Sequence, residues 1–191
     1  MKHIAIEGMD GVGKSTICKL LAKKTNYKFV EKALHYLYEE EDKINVYQNV
    51  ATKVNASPNR NFTAWYYGLN NLYTYEKFKD CNIITDRHIV SNYCWSGTDY
   101  NLDIYDLIIK KIGLPTVTII LYAHPEEIKK RLMKRNKYDS DLTKLHQSED
   151  KYQKMISFCE KYNMPYFIID SSYKTPNRIV QEIMEKIKEL L

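Results

Sequence analysis

No hydrophobic run in this chain approaches eighteen residues, so no segment is long enough to read as a membrane-spanning helix. Met1-Lys2-His3 leads straight into a strand-like run, which gives the expectation of a soluble cytoplasmic protein with no signal peptide and no membrane partner. Cysteines are few and scattered. Cys18, Cys81, Cys94 and Cys159 form no C-x-x-C pair and have no histidine pair nearby, which reads as reduced, mostly buried thiols. Charge of one sign is only weakly in excess, +5 from 29 basic and 24 acidic residues. That surplus suits a small anionic substrate but falls short of the basic stripe of a nucleic-acid binder, and bases and acids alternate in 126–135 and 182–189. There is no internal repeat and no low-complexity linker. The 191 residues are therefore expected to form one compact domain spanning 1–191.

Glycine is also scarce, and three of the six glycines fall within residues 8–13. Gly8-Met9-Asp10-Gly11-Val12-Gly13-Lys14-Ser15 fits the phosphate-loop pattern G-x-x-x-x-G-K-[ST], between an apolar run and an amphipathic helical run. Backbone amides can wrap a phosphate only where the chain curves through positive φ, which glycine tolerates. Lys14 can reach the β- and γ-phosphates. Ser15 opens the helix and can ligate Mg²⁺, while Val12 and Thr16 complete the ATP-binding stretch.

Short apolar runs at 3–7, 27–30, 82–85, 116–122 and 166–169 alternate with helical patterns at 14–24, 42–54, 62–79, 103–112, 125–134, 142–162 and 175–190. Several of the runs lack polar alternation and should be buried on both faces. The expected fold is α/β: a parallel sheet of about five strands, helices on both faces, and a short lid near 134–142. Ligand sites in such sheets lie at the carboxyl ends of the strands, where Asp86-Arg87-His88 follows 82–85.

With these motifs on the page, residues 4–16 resemble the opening of thymidylate kinases, which carry an acidic residue two places after the first loop glycine. Asp86-Arg87-His88, with Ser91, Trp95 and Gly97 downstream, is similar to that family's Asp-Arg-Tyr/His motif, and the spacing from Phe62 to Asp86 resembles that from its base-stacking Phe. The resemblance implies transfer of the γ-phosphoryl group of ATP, as its Mg²⁺ complex, to a pyrimidine nucleoside monophosphate, most directly dTMP. It implies that Asp10 reads the deoxyribose 3′-hydroxyl, that Arg87 grips the acceptor phosphate, that Asp86 organises Mg²⁺ with Ser15, and that Ser91 and Trp95 line the nucleoside pocket. Asp10 also fits plain turn chemistry, and Trp95 also fits the core.

Phe62, Trp65, Leu69 and Leu72 follow helical spacing and read as one buried face, with the resemblance adding base stacking for Phe62. The aromatic surplus around them reads as a large base pocket or a homodimer face. Arg131, Lys134, Arg135 and Lys137 match the family's lid. Since Gly11 stands where some members carry a loop arginine, a lid cation must supply the transition-state charge, Arg135 before Arg131.

Two departures bear on the substrate. Val30-Glu31-Lys32 replaces the family's Arg-Glu-Pro, and Tyr66 stands where a base-reading Arg is expected. Glu31 also resembles the glutamate with which deoxynucleoside kinases deprotonate a 5′-hydroxyl, so a nucleoside acceptor is the alternative. A GTP-dependent switch is a remote third reading: Asn136-Lys137-Tyr138-Asp139 matches a guanine motif but follows a charged helical run instead of a strand.

Overall fold

The protein, described here by a computed structural model covering residues 1–38 and 45–190, is built on five parallel strands in the order β2-β3-β1-β4-β5. These are β1 (His3–Gly8), β2 (Lys28–Glu31), β3 (Ile83–Asp86), β4 (Val117–Tyr122) and β5 (Tyr166–Asp170). The central strands β1, β3 and β4 are buried on both faces, as expected from their unbroken apolar runs. The edge strands β2 and β5 are partly exposed.

Nine α-helices are described: α1 (Lys14–Thr25), α2 (His35–Tyr38), α3 (Asn45–Asn55), α4 (Arg60–Lys77), α5 (Ile89–Ser96), α6 (Leu102–Ile112), α7 (Pro125–Arg135), α8 (Ser148–Lys161) and α9 (Pro176–Ile187). The short helices α2 and α5 lack a full amphipathic repeat and were not anticipated. Part of the helix expected at 42–54 lies outside the described residues. The one expected at 142–162 divides into a 3-10 segment, Ser140–Gln147, followed by α8. None of the described helices is long and apolar enough to cross a membrane. The four cysteines are free.

Helix α4 corrects the expected orientation. Asn59 caps it, its side chain accepting from the amides of Asn61 and Phe62 at 3.0 and 3.1 Å. The residues that α4 buries are small or polar: Thr63, Ala64, Gly68, Asn71 and Thr74. At Gly68 an added Cβ would lie 2.6 Å from Ile108 Cδ1, so the absent side chain lets α6 approach closely. The apolar stripe faces outward instead, with Phe62 50% exposed and Trp65 45%.

Candidate active site

Parallel pairing brings the carboxyl ends of β1, β2 and β3 to one rim, with Ile6 and Glu31 both in register with Asp86. Here the chain leaves β1 through Gly8 at φ +134°, so close to β4 that a Cβ would sit 2.4 Å from the Leu121 carbonyl oxygen. Gly13, at φ +99°, caps α1 with no side-chain bond, leaving first-turn amides turned to the loop.

The Lys14 ammonium lies within this turn, donating to the Met9 carbonyl at 2.8 Å and 3.8 Å from Asp10. Burial and the neighbouring Arg87 lower its pKa, against the pull of Asp10, Asp86 and Glu7. Ser15 Oγ donates to the Asp86 carboxylate. The two groups predicted to hold a metal thus meet at the start of α1.

Arg87 sits in the left-handed region at φ +72°, which aims its side chain back across the rim. Nη2 donates to Asp10 Oδ1 at 2.7 Å and Nη1 to Ser91 Oγ at 3.0 Å. Burial disfavours the Asp10 charge, but Arg87 and then Lys14 outweigh it and hold the carboxyl far below the usual carboxylate range. The fully buried Glu7 organises this turn: it accepts from the His88 amide at 2.9 Å and from Ser91 Oγ. Burial raises its pKa. The clue in the sequence was a lone acid at the end of an otherwise apolar strand, which must find donors when buried.

These groups open on a cleft of about 1200 Å³ whose walls include Asp10, Gly11, Gly13, Lys14, Ser15, Thr16, Glu31, Asp86, Arg87, Ser91, Trp95, Arg131 and Arg135. The backbone positions Gly8 and Val12 lie behind the loop, Val12 giving its carbonyl to Arg131 at 3.2 Å and to Ser171 Oγ at 3.1 Å. Phe62 and Tyr66 do not line the cleft. The wall is offset by one residue, and α4 presents Arg60, Thr63, Tyr67, Asn70 and Asn71 to it. Tyr66 packs edge-on against Tyr67, their centroids 5.1 Å apart, and burial raises its phenol pKa. Tyr67, whose hydroxyl donates to Asn55 Oδ1 at 2.8 Å, is the aromatic of α4 that faces the site. Trp95 is covered by Lys151 and Lys144, 4.6 and 5.6 Å from its ring centre.

Both expected lid cations are engaged. Arg135 donates to Asp139 at 2.7 Å and Asp141 at 2.9 Å, while Arg131 binds Val12 and Ser171 and so ties the loop to the end of β5. Lys144, which carried no sequence signal, also lines the cleft and donates to Asp141 at 2.6 Å. The guanine-like stretch is a turn closed on itself, Asn136 Oδ1 accepting from the Tyr138 amide and Asp139 Oδ1 from that of Asp141, each at 3.0 Å.

Similarities to known proteins agree with this arrangement. A putative adenylate kinase of Thermococcus gammatolerans is 25% identical over 97% of this chain and 85% of its own length. Thymidylate kinase from Candida albicans, 18% identical, superposes with a TM-score of 0.69 over 98% of this chain and 91% of its own. Deoxyadenosine kinase from M. mycoides, solved with dATP bound and 21% identical, gives 0.65 over 97% and 99%. These solved structures share the fold. The thymidylate kinase family model matches residues 6–183. A loop built for phosphates, an arginine clamped on its rim and this match over nearly the whole chain lead to one conclusion: the protein belongs to the thymidylate kinase family and is a nucleotide kinase.

Proposed function

We propose that the protein transfers the γ-phosphoryl group of Mg²⁺-ATP to a pyrimidine deoxynucleoside monophosphate, dTMP most directly. The observation that carries this reading is the continuous chain Lys14–Asp10–Arg87, which joins the donor loop to a planar cation on the same rim. Phosphoryl transfer asks little covalent chemistry of the protein, so what matters is that the two phosphates are held in line and their charge is matched. Lys14 and the loop amides would hold the triphosphate, and Arg87 the acceptor's phosphate, with Asp10 fixing the guanidinium and facing the sugar. Mg²⁺ belongs to the donor substrate, and Ser15 with Asp86 would hold it. No cluster of three potential ligands occurs among the described residues, which suits an ion that keeps its waters and takes its other oxygens from phosphate. Arg135 or Lys144 would add charge once released from the Asp139 and Asp141 carboxylates.

A second reading has its own support: Glu31 lines the cleft beside Asp86, where a base for a nucleoside 5′-hydroxyl would be needed. Incubation with Mg²⁺-ATP and a panel of nucleosides and nucleoside monophosphates separates the two. A diphosphate product supports the main reading. Monophosphate produced from nucleosides alone replaces it with the second.

A further inference from the structure

The acceptor side of the cleft contains a polar group that the protein itself leaves unpaired. Asn71 is 1% exposed and lines the cleft, yet its amide nitrogen, fully buried, has no hydrogen-bond partner. Buried donors are rarely left so, because the loss costs about 1–3 kcal/mol. Its neighbours on α4 are engaged: Thr63 Oγ donates to the Arg60 carbonyl at 3.0 Å, Tyr67 to Asn55, and Asn70 Oδ1 accepts from the Leu34 amide at 3.1 Å. Asn71 lies four residues beyond Tyr67, one turn further along the same helical face. A flat ring set against Tyr67 would therefore bring its edge towards the Asn71 amide.

We infer that Asn71 reads the base of the acceptor and, because its amide can turn over, admits both thymine and cytosine. Thymine offers a carbonyl acceptor beside an N–H donor on its pairing edge. Cytosine offers an amino donor beside a ring-nitrogen acceptor. A guanidinium can only donate and so favours the first; a side-chain amide presents either its NH₂ or its C=O. The residue in register with the family's base-reading arginine, Tyr66, has left the cleft, and a rotatable amide stands on the wall instead. This inference rests on the proposed nucleotide acceptor and names the selectivity of that site.

The test is a kinetic comparison of the wild type with Asn71→Leu and Asn71→Asp, using dTMP and dCMP as acceptors and Mg²⁺-ATP as donor. Wild type is expected to use both within roughly tenfold in kcat/KM. Asn71→Leu should lower kcat/KM for both acceptors by about 10- to 100-fold, the worth of a hydrogen bond in a dry site, and leave the KM for ATP unchanged. Its Tm should hold or rise, because a donor without a partner has been removed; a purely structural asparagine would lower it. Asn71→Asp, which can only accept, should raise the dCMP-to-dTMP ratio at least tenfold. Unchanged acceptor kinetics in Asn71→Leu, or an unchanged ratio in a folded Asn71→Asp, overturns the inference. If wild type phosphorylates neither nucleotide, the proposed reaction fails. Calorimetric binding of dCMP and dTMP to wild type and Asn71→Leu then judges Asn71 separately: equal affinities refute its role and weakened binding of both upholds it.

Discussion

At the scale of single residues, the donor half of the site was legible because its chemistry tolerates almost no substitution. A chain that must curve through positive φ within van der Waals reach of β4 needs Gly8, and one that must turn its first helical amides to an anion needs Gly13. Lys14→Ala should lower kcat at least about 100-fold, the usual scale for removing a donor aimed at developing charge. Its circular dichroism should match wild type, because the bond lost is a single one to Met9; retained activity would remove Lys14 from the mechanism. Arg87→Ala makes a different prediction. It should raise the acceptor KM and lower kcat together, with the KM for ATP little changed, since the guanidinium both binds and orients one substrate. A change confined to the KM for ATP would move Arg87 to the donor side. Glu7 was hidden in the sequence because a strand-end acid signals only that it needs partners, and its partners lie more than eighty residues away.

At the scale of elements, sheet and long helices followed from hydrophobic periodicity, while the phase of α4 did not. Periodicity marks the apolar stripe of a helix and assigns it to the core, but α4 buries a stripe of small and polar residues because α5 and α6 approach it closely. Once that stripe is inward, Thr63, Tyr67 and Asn71 face the cleft, and Phe62, the residue that spacing to Asp86 singled out, faces away. Kinetics distinguish the two phases. Phe62→Ala should leave the acceptor KM within about twofold of wild type, as surface changes do, whereas Tyr67→Ala should raise it by about tenfold or more through loss of an aromatic contact. The reverse order would restore Phe62 to the base. The boundary near Ser148 was missed for a related reason: 3-10 and α segments share polar composition, and only the turn at Asp139 separates them from α7.

At the scale of the whole molecule, a buried polar cluster links the sheet to α4 and α5 and makes stability depend on pH. His3 lies 2.7 Å from the Tyr75 hydroxyl through Nδ1 and 2.9 Å from Thr85 Oγ1 through Nε2, and the His88 ring stands edge-on to it at 4.7 Å with neither nitrogen hydrogen-bonded. Burial pushes the His88 pKa down to about 3 and that of His3 well below its ordinary value. In the unfolded chain both titrate near 6.5. Below that pH the unfolded state binds protons that the folded state refuses, so stability is complete above about 6.5 and is lost as pH falls towards 3. Each histidine contributes about 1.4 kcal/mol per pH unit across that window. Glu7, whose folded pKa is raised, works in the opposite sense by favouring the folded state in acid. Comparison with His88→Phe cancels that contribution and isolates one ring. The variant, which discards two unpaired nitrogens, should be as stable as wild type or more so at pH 7. Urea midpoints at pH 7, 6 and 5 should then show wild type losing stability faster than the variant, by about 1.4 kcal/mol per unit below 6.5. Parallel curves would mean that His88 takes up its proton in the folded protein, and the dry, neutral pairing of the two rings would be wrong.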